Sequence, residues 1–152
     1  MEGDYRNPPP EGEYKALFEY VHELLKHPPV KLRPDHRRAG GCAMVEKLSE
    51  LGAEVLAVSL DAIHYHLLAR LGEPSGRLTI GAAKRHAYHV LRRAGHPGKL
   101  WAKRCRIEPI ADRSHQVNTY RYILNHAKTG AWVWSYRQGL YWRERGDLGQ
   151  GT

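Results

Sequence analysis

The chain has 152 residues, 24 Lys and Arg against 16 Asp and Glu, a formal charge of +8 and 41% hydrophobic residues. That length favours one domain with at most an arm, and the apolar fraction supports a modest core rather than wholesale disorder. No stretch approaches the roughly 18 apolar residues of a membrane helix, the acidic, Pro-rich start MEGDYRNPPP is no signal peptide, and Cys42 and Cys105 lie outside any CxxC spacing, which disfavours a zinc ribbon or disulfide scaffold and points to a reducing cytoplasm.

Residues 1–12 read as a flexible arm. Tyr14, Leu17, Phe18, Val21, Leu24 and Leu25 recur at helical spacing, which predicts an amphipathic helix over about 13–27, stopped by Pro28-Pro29. The piece VKL is at most a stub of strand. Pro34-Asp35 opens a second helix with Met44, Val45, Leu48 and Leu51 inward and Gly52 as its C-terminal cap. In AEVLAVSLDAIHYHLLARL two apolar, β-rich runs flank Asp61-Ala62, which predicts a hairpin over roughly 54–60 and 63–70. After the loop GEPSG, a third helix spans about 79–94, with Ile80, Ala83, Ala87, Val90 and Leu91 inward and Lys84, Arg85, Arg92 and Arg93 outward. GHPG ends it, and LWAKRCRI reads as a third, strongly basic strand. Asp112 or Ser114 caps a last helix running to about 128. The aromatic segment AWVWSYRQGLYW packs back on the body, and residues 146–152 form a flexible tail. The expected fold is α+β, a small antiparallel sheet with helices on one or both faces, in a single domain over 13–145.

The charge is unevenly placed. Residues 1–76 carry 9 basic and 12 acidic side chains, whereas residues 77–145 carry 15 and 3 and interleave Trp101, Tyr120, Tyr122, Trp132, Trp134 and Tyr136. Clustered cations among aromatic rings suit single-stranded nucleic acid, where phosphates follow Lys and Arg and bases stack on rings. The plainer reading is a solvated basic surface over ordinary core aromatics.

His64 and His66 lie two apart in the second hairpin strand, so both imidazoles project from one face, with Tyr65 on the other. That geometry can bring two nitrogens to one metal ion. With 10 His in 152 residues, one such pair is also expected by chance. The last helix adds a polar face of His115, Asn118, Thr119, Tyr122 and His126 beside an apolar stripe of Val117, Tyr120, Leu124 and Ala127, flanked by Ile123. Tyr122 and His126, at i and i+4, are neighbours one turn apart. A tyrosine hydroxyl beside a further potential ligand is a nucleophile arrangement, and a solvated polar face is the alternative.

The stretches LDAIHYHLLARL, GKLWAKRCRIEPIADRSHQ and TYRYILNHAKTG, with the basic helix between them, cover roughly 54–130. In order and spacing they resemble the single-tyrosine HUH transposases of the insertion-sequence 200/605 type, and above all their REP-associated relatives. The resemblance implies a ferredoxin-like sheet. The family's sheet opens with a strand whose place is taken here by the acidic arm and the expected first helix. It also implies roles. His64 and His66 are the paired metal ligands, Tyr122 is the nucleophile, and His126 stands where relatives carry a third ligand. Tyr120, on the apolar stripe, is the competing nucleophile.

The implied activity is cleavage and transfer of single-stranded DNA through a 5′-phosphotyrosine, dependent on Mg²⁺ or Mn²⁺. A phenol of pKa about 10 needs help to attack, and a cation supplies it. Neutral imidazoles are needed to bind the cation, so activity is expected to fall below about pH 6. DNA contacts are expected from Lys84, Arg85, Arg92, Arg93, Lys99, Lys103, Arg104 and Arg106. The implied partners are a DNA hairpin and a second copy of the chain, with the 113–128 helix mobile or exchanged between copies. Competing readings are a non-catalytic nucleic-acid-binding protein of the same fold, another HUH nuclease such as a replication initiator or relaxase, and an interaction protein docking through its N-terminal helix.

Overall fold

A computed structural model describes residues 18–25, 31–71, 76–101 and 105–137. The expected arm and tail, Lys103 and Arg104 lie outside the described residues.

Among the described residues five strands and three helices follow in the order β1 (Phe18–Leu24), α1 (Pro34–Glu50), β2 (Glu54–Leu60), β3 (His64–Arg70), α2 (Gly76–Arg93), β4 (Arg106–Pro109), α3 (Arg113–Asn125) and β5 (Trp132–Ser135), with a 3₁₀ turn over His126–Thr129 between α3 and β5. The sheet runs β4-β1-β3-β2-β5, every pairing antiparallel. Its first four strands make the β-α-β-β-α-β arrangement of ferredoxin-like folds, and β5 extends it beside β2. The expected α+β architecture is therefore present.

The first strand of the sheet is present too, and it lies where the spacing predicted a helix. Residues 18–24 read FEYVHEL. Their helical spacing competes with a period of two: Phe18, Tyr20 and His22 on one face, Val21, Glu23 and Leu25 on the other. The strand prevails because β3 and β4 flank it and satisfy its backbone on both sides. Of the supposed strand stub VKL, Lys31 and Leu32 are not in a strand, and Val30 lies outside the described residues.

Each face of the sheet has its own core. On one, α1 and α2 bury Met44, Leu48, Ile80, Ala83, Ala87 and Leu91 against Val21, Val58, Leu60, Tyr65 and Leu67. On the other, α3 buries Tyr120, Ile123 and Leu124 against Phe18, Leu56, Ala57, Leu68 and Val133. An irregularity between Val55 and Ala57 shifts the β2–β3 register and sets which β2 residues face each layer.

Several expected positions move. Leu51 is exposed rather than inward, because the helix ends there and Gly52 takes a left-handed turn with φ 90°. The basic strand expected at LWAKRCRI overlaps the observed one only at Arg106 and Ile107, and the observed strand runs on to Pro109, which an edge strand tolerates. Trp101 makes one isolated bridge to Leu25 instead. Val117 is only half-buried and Ala127 is exposed, so the inward stripe of α3 is Gln116, Thr119, Tyr120, Ile123 and Leu124. Asp112 is the cap of α3, accepting from the His115 amide at 2.8 Å.

The close approach of β5 to α1 makes a test. A methyl on Gly41 would run into Cε3 and Cζ3 of the Trp132 ring, whereas one on Gly40 meets the movable Leu91 Cδ1 at 3.0 Å. Gly41→Ala gains about 1 kcal/mol of helix propensity, and overpacking against a rigid ring costs about 1–3 kcal/mol. Its urea midpoint should fall below that of the wild type, and further than that of Gly40→Ala.

Candidate functional site

The β2–β3 turn lacks the favoured Asn-Gly pair, and Asp61 takes over its work. Its Oδ1 accepts from the amides of Ile63 at 2.9 Å and His64 at 2.7 Å, so a side chain closes the turn. This fixes where β3 begins and places His64 as its first residue. From there His64, His66 and Leu68 project toward the α3 side of the sheet. Leu68 is covered by α3. The two histidines lie where that cover ends.

β1 and β4 extend this open end. His22 is directly opposite His66, and Arg106 is opposite His22. Tyr20 stacks on His22 with ring centroids 4.5 Å apart and stands nearly parallel to His66 at 5.9 Å. Its hydroxyl lies 2.8 Å from Nδ1 of His66. His22 Nε2 lies 3.2 Å from Glu108 Oε2.

The last turn of α3 closes the site from above. Tyr122 is 52% exposed, and its ring meets His66 edge-on at 5.6 Å and His126 at 4.8 Å. The His66 and His126 rings are 4.4 Å apart. Tyr120 turns the other way. It is 2% exposed, and its hydroxyl lies 2.5 Å from Ser135 Oγ. Within one chain, then, Tyr122 stands at the histidine face and Tyr120 in the core.

Which ring nitrogens carry protons follows in part from their partners. His126 Nδ1 is 2.8 Å from the Tyr122 carbonyl oxygen. A carbonyl only accepts, so Nδ1 carries a proton, and in the neutral ring Nε2 is the nitrogen with the free lone pair. His66 is buried, which pushes its pKa down to about 4, with the neighbouring His126, His22 and His64 acting in the same direction. It is therefore neutral at physiological pH. Burial, first of all, and then Tyr122 and Glu108 raise the pKa of Tyr20, so that phenol keeps its proton.

The low His66 value has a consequence for stability. As pH falls below about 6.5, the unfolded chain takes up a proton that folded His66 refuses until about pH 4. Unfolding is thereby favoured across that window and unaffected by this group above it. The urea midpoint of the metal-free protein should drop between pH 7 and pH 4.5, and His66→Gln should shrink the drop.

Among the described residues, no three His, Cys, Asp or Glu side chains are close enough together to hold a metal ion. His66 and His126 are adjacent. His64 is 6.2 Å from His66, ring to ring, and its Nδ1 is 3.7 Å from Asp61 Oδ1. The three imidazoles share one face of the sheet and are nitrogen donors of a kind that divalent transition metals accept, and His64 would have to turn from Asp61 to join the other two.

The expected DNA-contact residues divide. Arg106 is exposed on β4 on the histidine face. Arg85, Arg92 and Arg93 are exposed on α2, which packs on the opposite face of the sheet, and Lys99 is exposed in the segment that follows. Lys84 does not point outward. Its Nζ lies 2.8 and 3.0 Å from the two carboxylate oxygens of the fully buried Glu23. The helical spacing read from Ile80, Ala83 and Ala87 leaves Lys84 at the edge of the inward stripe, and a carboxylate hidden in β1 draws it in. Tyr20, His22 and Glu108 belong to the site without having been expected there. Reading β1 as a strand would have exposed the first two, since Tyr-x-His in a strand projects one way.

This fold, a ferredoxin-like sheet extended by a fifth strand, is shared with two solved structures. The structure of a REP-associated tyrosine transposase bound to a REP hairpin matches with a TM-score of 0.58 and 16% sequence identity, over 76% of this chain and 69% of that one. A chain from Deinococcus radiodurans R1 described as a transposase matches with a TM-score of 0.50 at 16% identity, over 72% of this chain and 89% of that one. At this identity the likeness establishes the fold. No protein-family model matches the chain, and no curated protein does.

Proposed function

We propose that this protein is a single-tyrosine transposase-like enzyme that cuts single-stranded DNA and holds it as a 5′-phosphotyrosine on Tyr122. The observation that carries the reading is the exposed Tyr122 phenol in edge contact with both His66 and His126.

Tyr122 Oη attacks phosphorus. The new bond is phosphorus to tyrosine oxygen, the broken one is phosphorus to the 3′ oxygen, and the phenol proton is given up as the 3′ oxygen gains one. The phosphodiester count is unchanged, so a second strand's 3′ hydroxyl can run the step backwards and complete strand transfer. His64, His66 and His126 would hold Mg²⁺ or Mn²⁺, whose charge would polarise the scissile phosphate and offset charge on the leaving oxygen. The remaining work falls to the chain itself. Neutral His66 adds no charge of its own to the face, and α3 positions the nucleophile by burying Tyr120, Ile123 and Leu124 beneath it.

The DNA path is assigned to the α3 side of the sheet. Arg106 stands beside His22, and Arg121 and Lys128 are exposed along α3 and its 3₁₀ turn. Lys31 and Arg33 are exposed in a segment joined to the β2–β3 turn, Leu32 N donating to the Ala62 carbonyl at 3.0 Å. Arg37 Nη1 bonds the Gly130 carbonyl at 3.0 Å, so α1 begins next to the turn that follows Tyr122. Cations on these segments can follow a phosphate backbone into the site. Arg85, Arg92, Arg93 and Lys99 contact DNA only if the strand or hairpin wraps to the other layer. A homodimer that exchanges α3 would offer each Tyr122 to the other copy's histidines by the same chemistry.

A second reading, a DNA-binding protein that retains the fold without catalysis, draws on the fact that no three metal-ligating side chains are brought together among the described residues. One assay separates the two. The protein is incubated with single-stranded hairpin DNA and Mn²⁺ and resolved on a denaturing gel. A covalent adduct that His64→Ala removes is the expected result. Salt-sensitive DNA binding with no adduct would replace the enzyme by the binder, and no DNA binding would reject both.

A further inference from the structure

We propose that Tyr20 is a positioning residue that holds the His66 ring through its Nδ1 atom and leaves Nε2 as the coordinating nitrogen. The inference rests on the reading of His66 as a metal ligand and extends it to a residue on a different strand.

The geometry is specific. Tyr20 comes from β1 and His66 from β3, and β-sheet register fixes how they approach: Tyr20 is opposite Leu68, and His22 is opposite His66. The hydroxyl reaches Nδ1 at 2.8 Å, with the two rings within 5° of parallel. Tyr20 is itself held, stacked on His22 from one side and met edge-on by Tyr122 at 6.4 Å from another. A phenol restrained in this way restrains its hydrogen-bond partner in turn.

The His66 bond alone permits either direction, since a phenol both donates and accepts. The second imidazole supplies the direction. His126 spends Nδ1–H on the Tyr122 carbonyl and keeps Nε2 for other partners. If His66 likewise gives Nδ1–H to Tyr20 Oη, both rings present an unprotonated Nε2, and their 4.4 Å separation puts two donors of one kind side by side. The reverse direction would place a proton on His66 Nε2 and remove that ring as a ligand. His22 behaves differently. Its Nε2 faces the Glu108 carboxylate, so it belongs to the row of rings but not to the donor pair. Tyr20 Oη is engaged with His66 Nδ1 while the Tyr122 ring is the exposed one, so the two tyrosines of the site have different roles.

The test uses the metal-free full chain, ¹⁵N-labelled at histidine, and then Mn²⁺ titrated calorimetrically. In the wild type, the His66 Nδ1 resonance should be that of a protonated ring nitrogen and Nε2 that of an unprotonated one. In Tyr20→Phe, which keeps the ring and its stacking, that assignment should be lost or averaged, and Mn²⁺ affinity should fall about 10- to 100-fold. Tyr120→Phe, a change in the core away from the histidine face, should leave the His66 nitrogens and the affinity unchanged. A wild-type His66 with its proton on Nε2 would overturn the proposal. So would a Tyr20→Phe protein with unaltered nitrogens and unaltered affinity. Loss of the Tyr20 effect and loss of the strand-cleavage reading are separable: a protein showing these shifts but forming no DNA adduct keeps this inference and loses the enzyme.

Discussion

Tyr122→Phe is expected to abolish the covalent DNA adduct, while Tyr120→Phe leaves adduct formation within a few-fold of the wild type. The two tyrosines are two residues apart on one helix, so they face different ways. Tyr122 presents half its surface to solvent at the histidine face, and Tyr120 is sealed in the core with its hydroxyl on Ser135 Oγ. Phenylalanine has no oxygen to attack phosphorus, so the first change removes the nucleophile outright rather than weakening it. The second removes a buried hydrogen bond, for a stability cost of about 1–2 kcal/mol, and should lower the melting temperature. Adduct yield on a denaturing gel, set against thermal unfolding of the same samples, resolves the contrast. Equal adduct yield from Tyr122→Phe and wild type would remove this residue from the chemistry.

Glu23→Ala is expected to cost about 3–5 kcal/mol, the largest stability loss of any single change considered. Glu23 is completely buried on the face of β1 opposite Tyr20 and His22, and Lys84 from α2 is its ion-pair partner. The Lys84 Nζ also lies 5.6 Å from the Trp101 ring centroid, and the Trp101 indole donates to the Lys84 carbonyl at 2.8 Å. Removing the carboxylate leaves an ammonium group in a nearly closed setting, with its countercharge gone. Small domains have a stability of about 5–15 kcal/mol, so a loss of this size removes a large share of it. Glu23→Leu combined with Lys84→Met should recover most of the loss, because a buried ion pair is replaceable by apolar side chains of similar volume. Urea denaturation of the two single variants and the double variant measures this, and a loss under 1 kcal/mol in Glu23→Ala would contradict the structural role. The same pair explains why Lys84 should not be counted among DNA contacts. Lys84→Met should lower the unfolding midpoint while leaving the salt dependence of DNA binding unchanged.

These two results bear on what could be read in the chain before its fold was known. The hairpin was legible because both of its strands are apolar, β-rich runs, and the observed β2 and β3 match it almost to the residue. α2 and α3 were legible from their periodic apolar positions, and α1 chiefly from Pro34-Asp35 at its start and Gly52 at its end. The histidines followed from the hairpin, since a strand must send His64 and His66 the same way. The choice of Tyr122 over Tyr120 followed from the helical face.

Most of what escaped reading had one cause. Residues 18–24 satisfy both helical and alternating patterns, and only pairing to β3 and β4, far along the chain, decides between them. With β1 misread, Tyr20 and His22 could not be placed at the site, nor Glu23 beneath it. Lys84 then looked like one more outward cation on a basic helix. β5 escaped for a different reason. Its four residues, Trp-Val-Trp-Ser, show no contrast of polar and apolar positions, because Val133 faces the α3 core and Trp132 and Trp134 the α1 side.

The central claim is that Tyr122 carries the DNA. The most direct measurement is to digest the protein after reaction with hairpin DNA and Mn²⁺, trim the DNA with nuclease and locate the residual nucleotide by tandem mass spectrometry. The account predicts a single nucleotide phosphate on residue 122. A nucleotide on Tyr120, on Tyr20 or on any other side chain would contradict it.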